Sequence, residues 1–161
     1  WCDVKESWNA ELHPPTSIDL IVANANKYAD TVVVTGGEPL TWDMTLLTQR
    51  LKEQNLKVHI ETSGAYPLTG SWDWICFSPK KFKEPNPAIL PFVHELKVVI
   101  FHPSDVAWAQ DWASKINSNA HLYMQPEWSK QASMNPLIVE FVKTNPIWQI
   151  SVQTHKFLQI P

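Results

Sequence analysis

Hydrophobic positions along the chain recur in two rhythms. Short apolar runs, bounded by Gly, Pro, Asn or polar clusters, fall at 31–35, 57–61, 74–77, 95–101, 120–124 and 148–152. Other stretches carry apolar residues three and four apart: 18–28 with Ile18, Ile21, Val22 and Ala25, 43–54 with Leu46, Leu47 and Leu51, 104–116 with Val106, Ala109 and Ala113, and 135–143. The first rhythm predicts strands and the second helices. The helices have start signals in Thr16 or Ser17, Asp43, Ser104, and the pair Asn135 and Pro136, and Asn55 marks a stop. Strands that alternate with helices predict parallel pairing through helical crossovers. A closed barrel needs eight such units, so about six strands predict an α/β fold, an incomplete (βα) barrel of mostly parallel strands in one domain over residues 1–161.

Two stretches break the rhythm. Residues 1–15 have no sustained period and end in two prolines, which predicts a loop. Residues 79–91 hold four prolines and three lysines, which predicts a long loop in the third connection and the one candidate for a lid.

The run TVVVTGGEPL at 31–40 sets the reading of the rest. Three valines between threonines are stiff at χ1 and favour extended backbone, so 31–35 is expected to be a strand buried on both faces. Gly36 and Gly37 admit backbone conformations that a Cβ resists, and Pro39 pushes Glu38 away from helix. Glu38 is therefore expected on a tight turn just past a strand's carboxyl end, where α/β sheets and barrels bind ligands. The other strands also deliver polar clusters: Glu61, Thr62 and Ser63; Ser78, Pro79 and Lys80; Gln125, Pro126 and Glu127; Gln153, Thr154, His155 and Lys156. One polar strand end is ordinary loop chemistry. Five on one rim suit a polar ligand with many heteroatoms, and Glu38, Ser78, Gln125 and His155 are expected to face a common cavity. Period-two alternation also puts Glu95 and Lys97 on one face of their strand.

Composition narrows the classes. The formal charge of −3, with no local run of Lys or Arg, argues against direct nucleic-acid binding. Charged residues make up 18% of the chain while Trp occurs nine times, a bias that predicts some tryptophans in a subunit interface. There is no apolar stretch of about 18 residues to span a membrane and no basic-then-apolar leader, so a cytoplasmic protein is expected. Cys2 and Cys76 are too few for a disulfide framework and have no metal-ligand spacing between them. Cys76, within a strand, reads as a small buried core thiol. The chain opens on Trp1 and Cys2 without Met, which predicts that a preceding segment is missing.

These residues resemble a known family. Trp1, Cys2 and Asp3 resemble the end of the cluster motif of radical S-adenosylmethionine (SAM) enzymes, and TGGEP at 35–39 resembles their glycine turn. ETSG at 61–64, SPK at 78–80, QPE at 125–127 and QTHK at 153–156 resemble one branch, the 7-carboxy-7-deazaguanine synthases. The resemblance runs along the whole chain. It implies a homodimeric partial barrel that converts 6-carboxy-5,6,7,8-tetrahydropterin into 7-carboxy-7-deazaguanine and ammonia on the way to queuosine. It further implies a [4Fe-4S] cluster, SAM, magnesium and an electron donor such as flavodoxin. Cys2 would be one of three cluster thiolates. Trp1, Asp3, Gly36, Gly37, Glu38, Ser78, Pro79 and Lys80 would line the SAM site, with the Glu38 charge meeting the ligand's ammonium. Thr35, Gln125, Pro126, Glu127, Trp128 and the carboxyl-terminal Pro161 would hold the substrate. The chain departs from the pattern at Val4, where the family's Thr helps bind magnesium and valine has no oxygen to offer. The other two cluster cysteines are not among the 161 residues, so this stretch alone is expected to hold no intact cluster. Two other readings remain open on the sequence: another radical SAM enzyme, such as an activating enzyme for a glycyl-radical partner, and a cluster-free α/β module for a nucleotide-like ligand. QPE and QTHK count against the first; a colourless protein that cleaves no SAM would favour the second.

Overall fold

A computed structural model describes residues 14–28 and 30–159. Six strands, β1 (Thr31–Val34), β2 (Lys57–Thr62), β3 (Trp74–Phe77), β4 (Glu95–Ile100), β5 (His121–Pro126) and β6 (Trp148–Ile150), form one sheet in sequence order. Every pairing is parallel. Each strand lies beside its successor, so the sheet never reverses direction as a doubly wound sheet does. This is the strip order of a barrel.

The helices are α1 (Ile18–Ala25), α2 (Thr45–Glu53), α3 (Asp105–Ala113), α4 (Gln131–Thr144) and α5 (Thr154–Phe157). Helix α2 packs on β2, α3 on β4, and α4 on β5 and β6. With right-handed crossovers and no reversal, these three helices must cover the same face. The sheet's alternation agrees: Val58 and Ile60, Ile75 and Phe77, Leu96, Val98 and Ile100, and Met124 are all buried. The apolar core lies between that face and the helices.

Several elements depart from the sequence pattern for identifiable reasons. Among the described residues β1 stands at the edge of the sheet, and Val33 is half exposed rather than buried on both faces. The valine run dictates extended backbone, whereas burial depends on what lies beside it. In α2, Leu46 is exposed and Thr48 takes the buried position, with its hydroxyl donating to Met44 O and accepting from Ser71 N. Asp43 does serve the helix start, accepting from Thr45 N at 2.9 Å. Helix α4 begins before Asn135, and Pro136 lies inside it. Met134 and Ile138 form one buried i,i+4 pair, and the helix must extend back through Met134 to bury both. The connection at 63–73 also lacks a helix, so the proline-rich third connection is not the single exception; eleven residues holding Pro67 and Gly70 leave little room for a helical crossover. Of the described tryptophans, Trp148 is buried and Trp72, Trp108 and Trp112 pack against the core, while Trp42 is exposed. Core packing therefore accounts for several of the tryptophans that suggested an interface.

Ser104 makes no side-chain cap on α3. Asp105 instead turns back, and its Oδ2 accepts from Phe101 N and His102 N, each at 2.9 Å, while Lys81 donates to its Oδ1. Burial alone would raise the Asp105 pKa, but the hydrogen bonds from Lys81, His102 and Phe101 and the Lys81 charge outweigh it and hold the carboxyl below its ordinary value. A depressed native pKa contributes stability that is complete above the unfolded value and is lost as pH falls through the native one. Asp105→Ala should therefore cost about 3 kcal/mol at neutral pH, because it leaves two backbone N–H groups without their carboxylate. In acid the difference from wild type should shrink, and urea titrations at both pH values would show whether it does.

Candidate functional site

Since all six strands are parallel, their carboxyl ends share one rim, and the polar clusters at 35–38, 61–64, 78–80 and 125–127 stand along it in chain order. At the first, Gly36 and Gly37 take φ of 87° and 52°, a left-handed pair that glycine alone adopts without strain. A Cβ added at either would meet nothing within 4 Å. These glycines therefore serve the backbone path and leave an open cradle beside the turn, rather than relieving a crowded core.

The acid that follows is fully engaged. Glu38 Oε1 accepts from Thr62 Oγ1 at 2.5 Å and from Leu40 N at 3.2 Å, while Oε2 accepts from Ser63 N at 2.7 Å and from Ser63 Oγ. Four donors fill the four lone-pair directions of a carboxylate. These bonds join the β1 turn to the end of β2. Thr62 Oγ1 in turn accepts from Gly64 N, so the two motifs form one hydrogen-bonded unit.

The third cluster is tied to the second. Ser78 N donates to Thr62 O at 2.8 Å, and Lys80 Nζ donates to Ser78 Oγ at 2.9 Å. Ser78 and Pro79 are buried and Lys80 is half-buried. Beyond them the expected lid divides. Asn86 N donates to Gly64 O at 2.7 Å and Ile89 is buried in the core, so 85–92 is anchored. The 81–84 part carries Lys81 against Asp105 and Trp108, Lys83 over Tyr66, and Phe82 exposed.

At the end of β5, alternation separates neighbours. Gln125 and Glu127 are buried, with Ser151 Oγ donating to Gln125 Oε1 at 3.0 Å and Ser129 Oγ to Glu127 Oε2 at 2.6 Å. The amide nitrogen of Gln125 donates to no protein acceptor among the described residues. Pro126 points to the helix side, where it lines an apolar cavity of about 200 Å³ with Trp128, Ile138, Ile150 and Phe157. Neighbouring residues of a strand face opposite sides, so Pro126 lies across the sheet from Gln125, and Trp128 follows in the turn after β5. Strand β6 ends at Ile150, and His155 lies exposed on α5, so the last cluster is not delivered by a strand end.

The open face of the sheet was largely missed. It carries His59 and Glu61, Trp74 and Cys76, Glu95 and Lys97, His121, Tyr123 and Gln125, and Gln149, placed side by side by the register. His94 and His121 flank Trp74, with ring centroids 5.3 and 5.5 Å away. Glu95 accepts from Trp74 Nε1 at 3.1 Å and from Cys76 Sγ at 3.3 Å. Lys97 Nζ donates to Glu61 Oε1 at 2.5 Å. A face this polar, with most of its side chains partly exposed, is not a packed barrel core. The period-two signal that grouped Glu95 with Lys97 runs through all four inner strands and identifies it.

The chain is 63% identical over 161 residues to the 7-carboxy-7-deazaguanine synthase of Flavobacterium psychrophilum, covering 100% of this chain and 77% of that protein. It belongs to the 7-carboxy-7-deazaguanine synthase family. The synthase of Synechocystis is 46% identical, again over 77% of its length. The crystal structure of QueE from Escherichia coli superposes with a TM-score of 0.75 at 26% identity, covering 86% of this chain and 64% of that one. No family model matches. The partial-barrel fold and the synthase-branch motifs agree with this membership. Trp1, Cys2, Asp3, Val4 and Pro161 lie outside the described residues.

What the described residues offer a 7-carboxy-7-deazaguanine synthase's cofactors differs by group. The open Gly36–Gly37 cradle, with Ser78 and Lys80 on the next strand end but one, fits a zwitterionic ligand such as SAM. Cys76 does not fit an iron–sulfur cluster. Burial, with the Glu95 and Glu61 charges adding to it against Lys97, pushes its pKa up, and a cluster ligand must be a thiolate. No group of three His, Cys, Asp or Glu among the described residues stands close enough to hold a metal ion.

Proposed function

We propose that the chain is the catalytic core of the ring contraction that converts 6-carboxy-5,6,7,8-tetrahydropterin into 7-carboxy-7-deazaguanine and ammonia. The supporting observation is the rim: the family's motifs stand together at the carboxyl ends of parallel strands, above a polar open face, in a chain related to a synthase along its whole length. A [4Fe-4S] cluster with SAM supplies the hydrogen abstraction that starts the reaction, chemistry that belongs to the cofactor. Cys2 would furnish one cluster thiolate. Trp1, Asp3, Gly36, Gly37, Ser78, Pro79 and Lys80 would hold SAM.

Glu38 serves this site at one remove, holding the glycine turn against β2 so that its backbone groups keep their direction. Thr35, Gln125, Glu127 and the Pro161 carboxylate would hold the substrate. Gln125, with its oxygen occupied by Ser151, has an amide nitrogen to donate to a substrate oxygen. Pro126 and Trp128 back this segment from the helix side. Magnesium would need a ligand other than Val4. A homodimer and a flavodoxin-type donor complete the proposal.

The test is anaerobic turnover by the reconstituted holoenzyme with SAM, reductant and the tetrahydropterin, read by mass spectrometry. Product appearing with 5′-deoxyadenosine supports the assignment. SAM cleavage that the tetrahydropterin neither stimulates nor couples to product would move the chain to another radical SAM branch.

A further inference from the structure

The most concentrated charge on the open face is not among the residues assigned above. Lys97 on β4 is 14% exposed at its side chain and reaches past β3 to Glu61 on β2. The β3 residue in the register row shared by Glu61 and Glu95 is Cys76, small enough for the lysine stem to pass over. Glu95 already accepts from the Trp74 indole and the Cys76 thiol, so its two oxygens are served by neutral donors. Lys97 is left to Glu61, and Glu61 Oε2 has no donor among the described residues. Burial alone would lower the Lys97 pKa, but Cys76, then Glu61 with its hydrogen bond, then Glu95 outweigh this and hold it above its ordinary value.

We infer that Lys97 is a positioning residue: its ammonium, crossing over Cys76, fixes the Glu61 carboxylate with one oxygen held and the other turned to the space above the sheet, where the substrate is received. Among the described residues, no backbone group performs this service for Glu61. Without the ammonium, the Glu61 and Glu95 carboxylates, on either side of Cys76 in one register row, would share a face with no cation between them, and Glu61 would swing toward water. The inference rests on the reaction proposed above for the site it completes.

The experiment is a double-mutant cycle in the holoenzyme. Lys97→Met should raise KM for the tetrahydropterin on the order of tenfold, with a smaller change in kcat, while Lys97→Arg, which keeps the pair, should restore most of the affinity. Glu61→Gln and Glu61→Gln/Lys97→Met should match one another, because Lys97 acts through Glu61. Additive losses in the double variant, or an unchanged KM in Lys97→Met, would overturn the inference. If Lys97→Met does not fold, Lys97→Gln takes its place, expected to raise KM severalfold; a wild-type KM there would be equally decisive against it. A wild-type holoenzyme that makes no product would defeat the proposed reaction before any variant is compared. The positioning would then be read from crystal structures of wild type and Lys97→Gln: a Glu61 carboxylate that leaves its place in the variant supports it, and one that stays overturns it.

Discussion

Gly64→Ala should lower stability by about 3 kcal/mol, a fall in Tm of roughly 6–12 °C for a chain of this size. Gly64 has φ of 73°, and a Cβ built there stands 2.8 Å from Phe77 Cε2, 3.1 Å from its Cδ2 and 3.2 Å from Ile89 Cγ2. Two costs add. A left-handed alanine costs roughly 1–2 kcal/mol, and forcing a methyl against a buried ring adds overpacking on the order of 1–3 kcal/mol. Phe77 and Ile89 are both fully buried, so neither can move into solvent. The glycine is also a junction, since its N–H donates to Thr62 and its carbonyl accepts from Asn86. The substitution should therefore loosen the 85–92 segment along with the β2 end. Hydrogen exchange should show faster exchange at Asn86 and Ile89, and an unchanged melting temperature would show that Phe77 has room the structure does not display.

Glu38→Gln should weaken the site through the fold. A glutamine has one oxygen where the carboxylate has two. Ser63 N cannot rotate away, so the oxygen must stay with Ser63, and the new NH2 then faces Leu40 N and the Thr62 hydroxyl. One donor meets another donor, and the charge that shortened the remaining bonds is gone. The half-buried position and the loss of charge assistance put the cost at about 2 kcal/mol. SAM affinity in the holoenzyme should fall on the order of tenfold, and calorimetry and thermal melts should move together across Glu38→Gln, Glu38→Asp and Ser63→Ala. A SAM defect in Glu38→Gln with no loss of stability would mean that the carboxylate meets the ligand itself, as the motif alone suggests.

The strand at 74–77 was legible, and so was the cap on α1 to within Thr16 or Ser17, of which Ser17 serves, because a cap and a short apolar run are decided within a few residues. So were Ile18, Ile21, Val22 and Ala25, the only residues of α1 that are not exposed. Leu46 misled because leucine in a helical stripe is apolar whether or not anything packs on it. Pro136 misled because its preference for a first turn yields when Met134 and Ile138 must be buried together. The motifs GGEP, ETSG, SPK and QPE were legible as strand ends, and parallel pairing in sequence order brought them to one rim.

Amino-acid order by itself determined the alternation of strand and helix, the glycine turn, the polar strand ends and the family they belong to. Each is carried by neighbouring residues or by a short period. Only the tertiary structure decided what those groups do to one another: that the Glu38 carboxylate is held by Thr62 and Ser63, that Pro126 turns from Gln125, and that Lys97 reaches Glu61 over Cys76. The reason is physical. A hydrogen bond between residues 24 or 36 positions apart depends on strand register, side-chain length and the size of whatever lies between, and no periodicity within one element encodes all three.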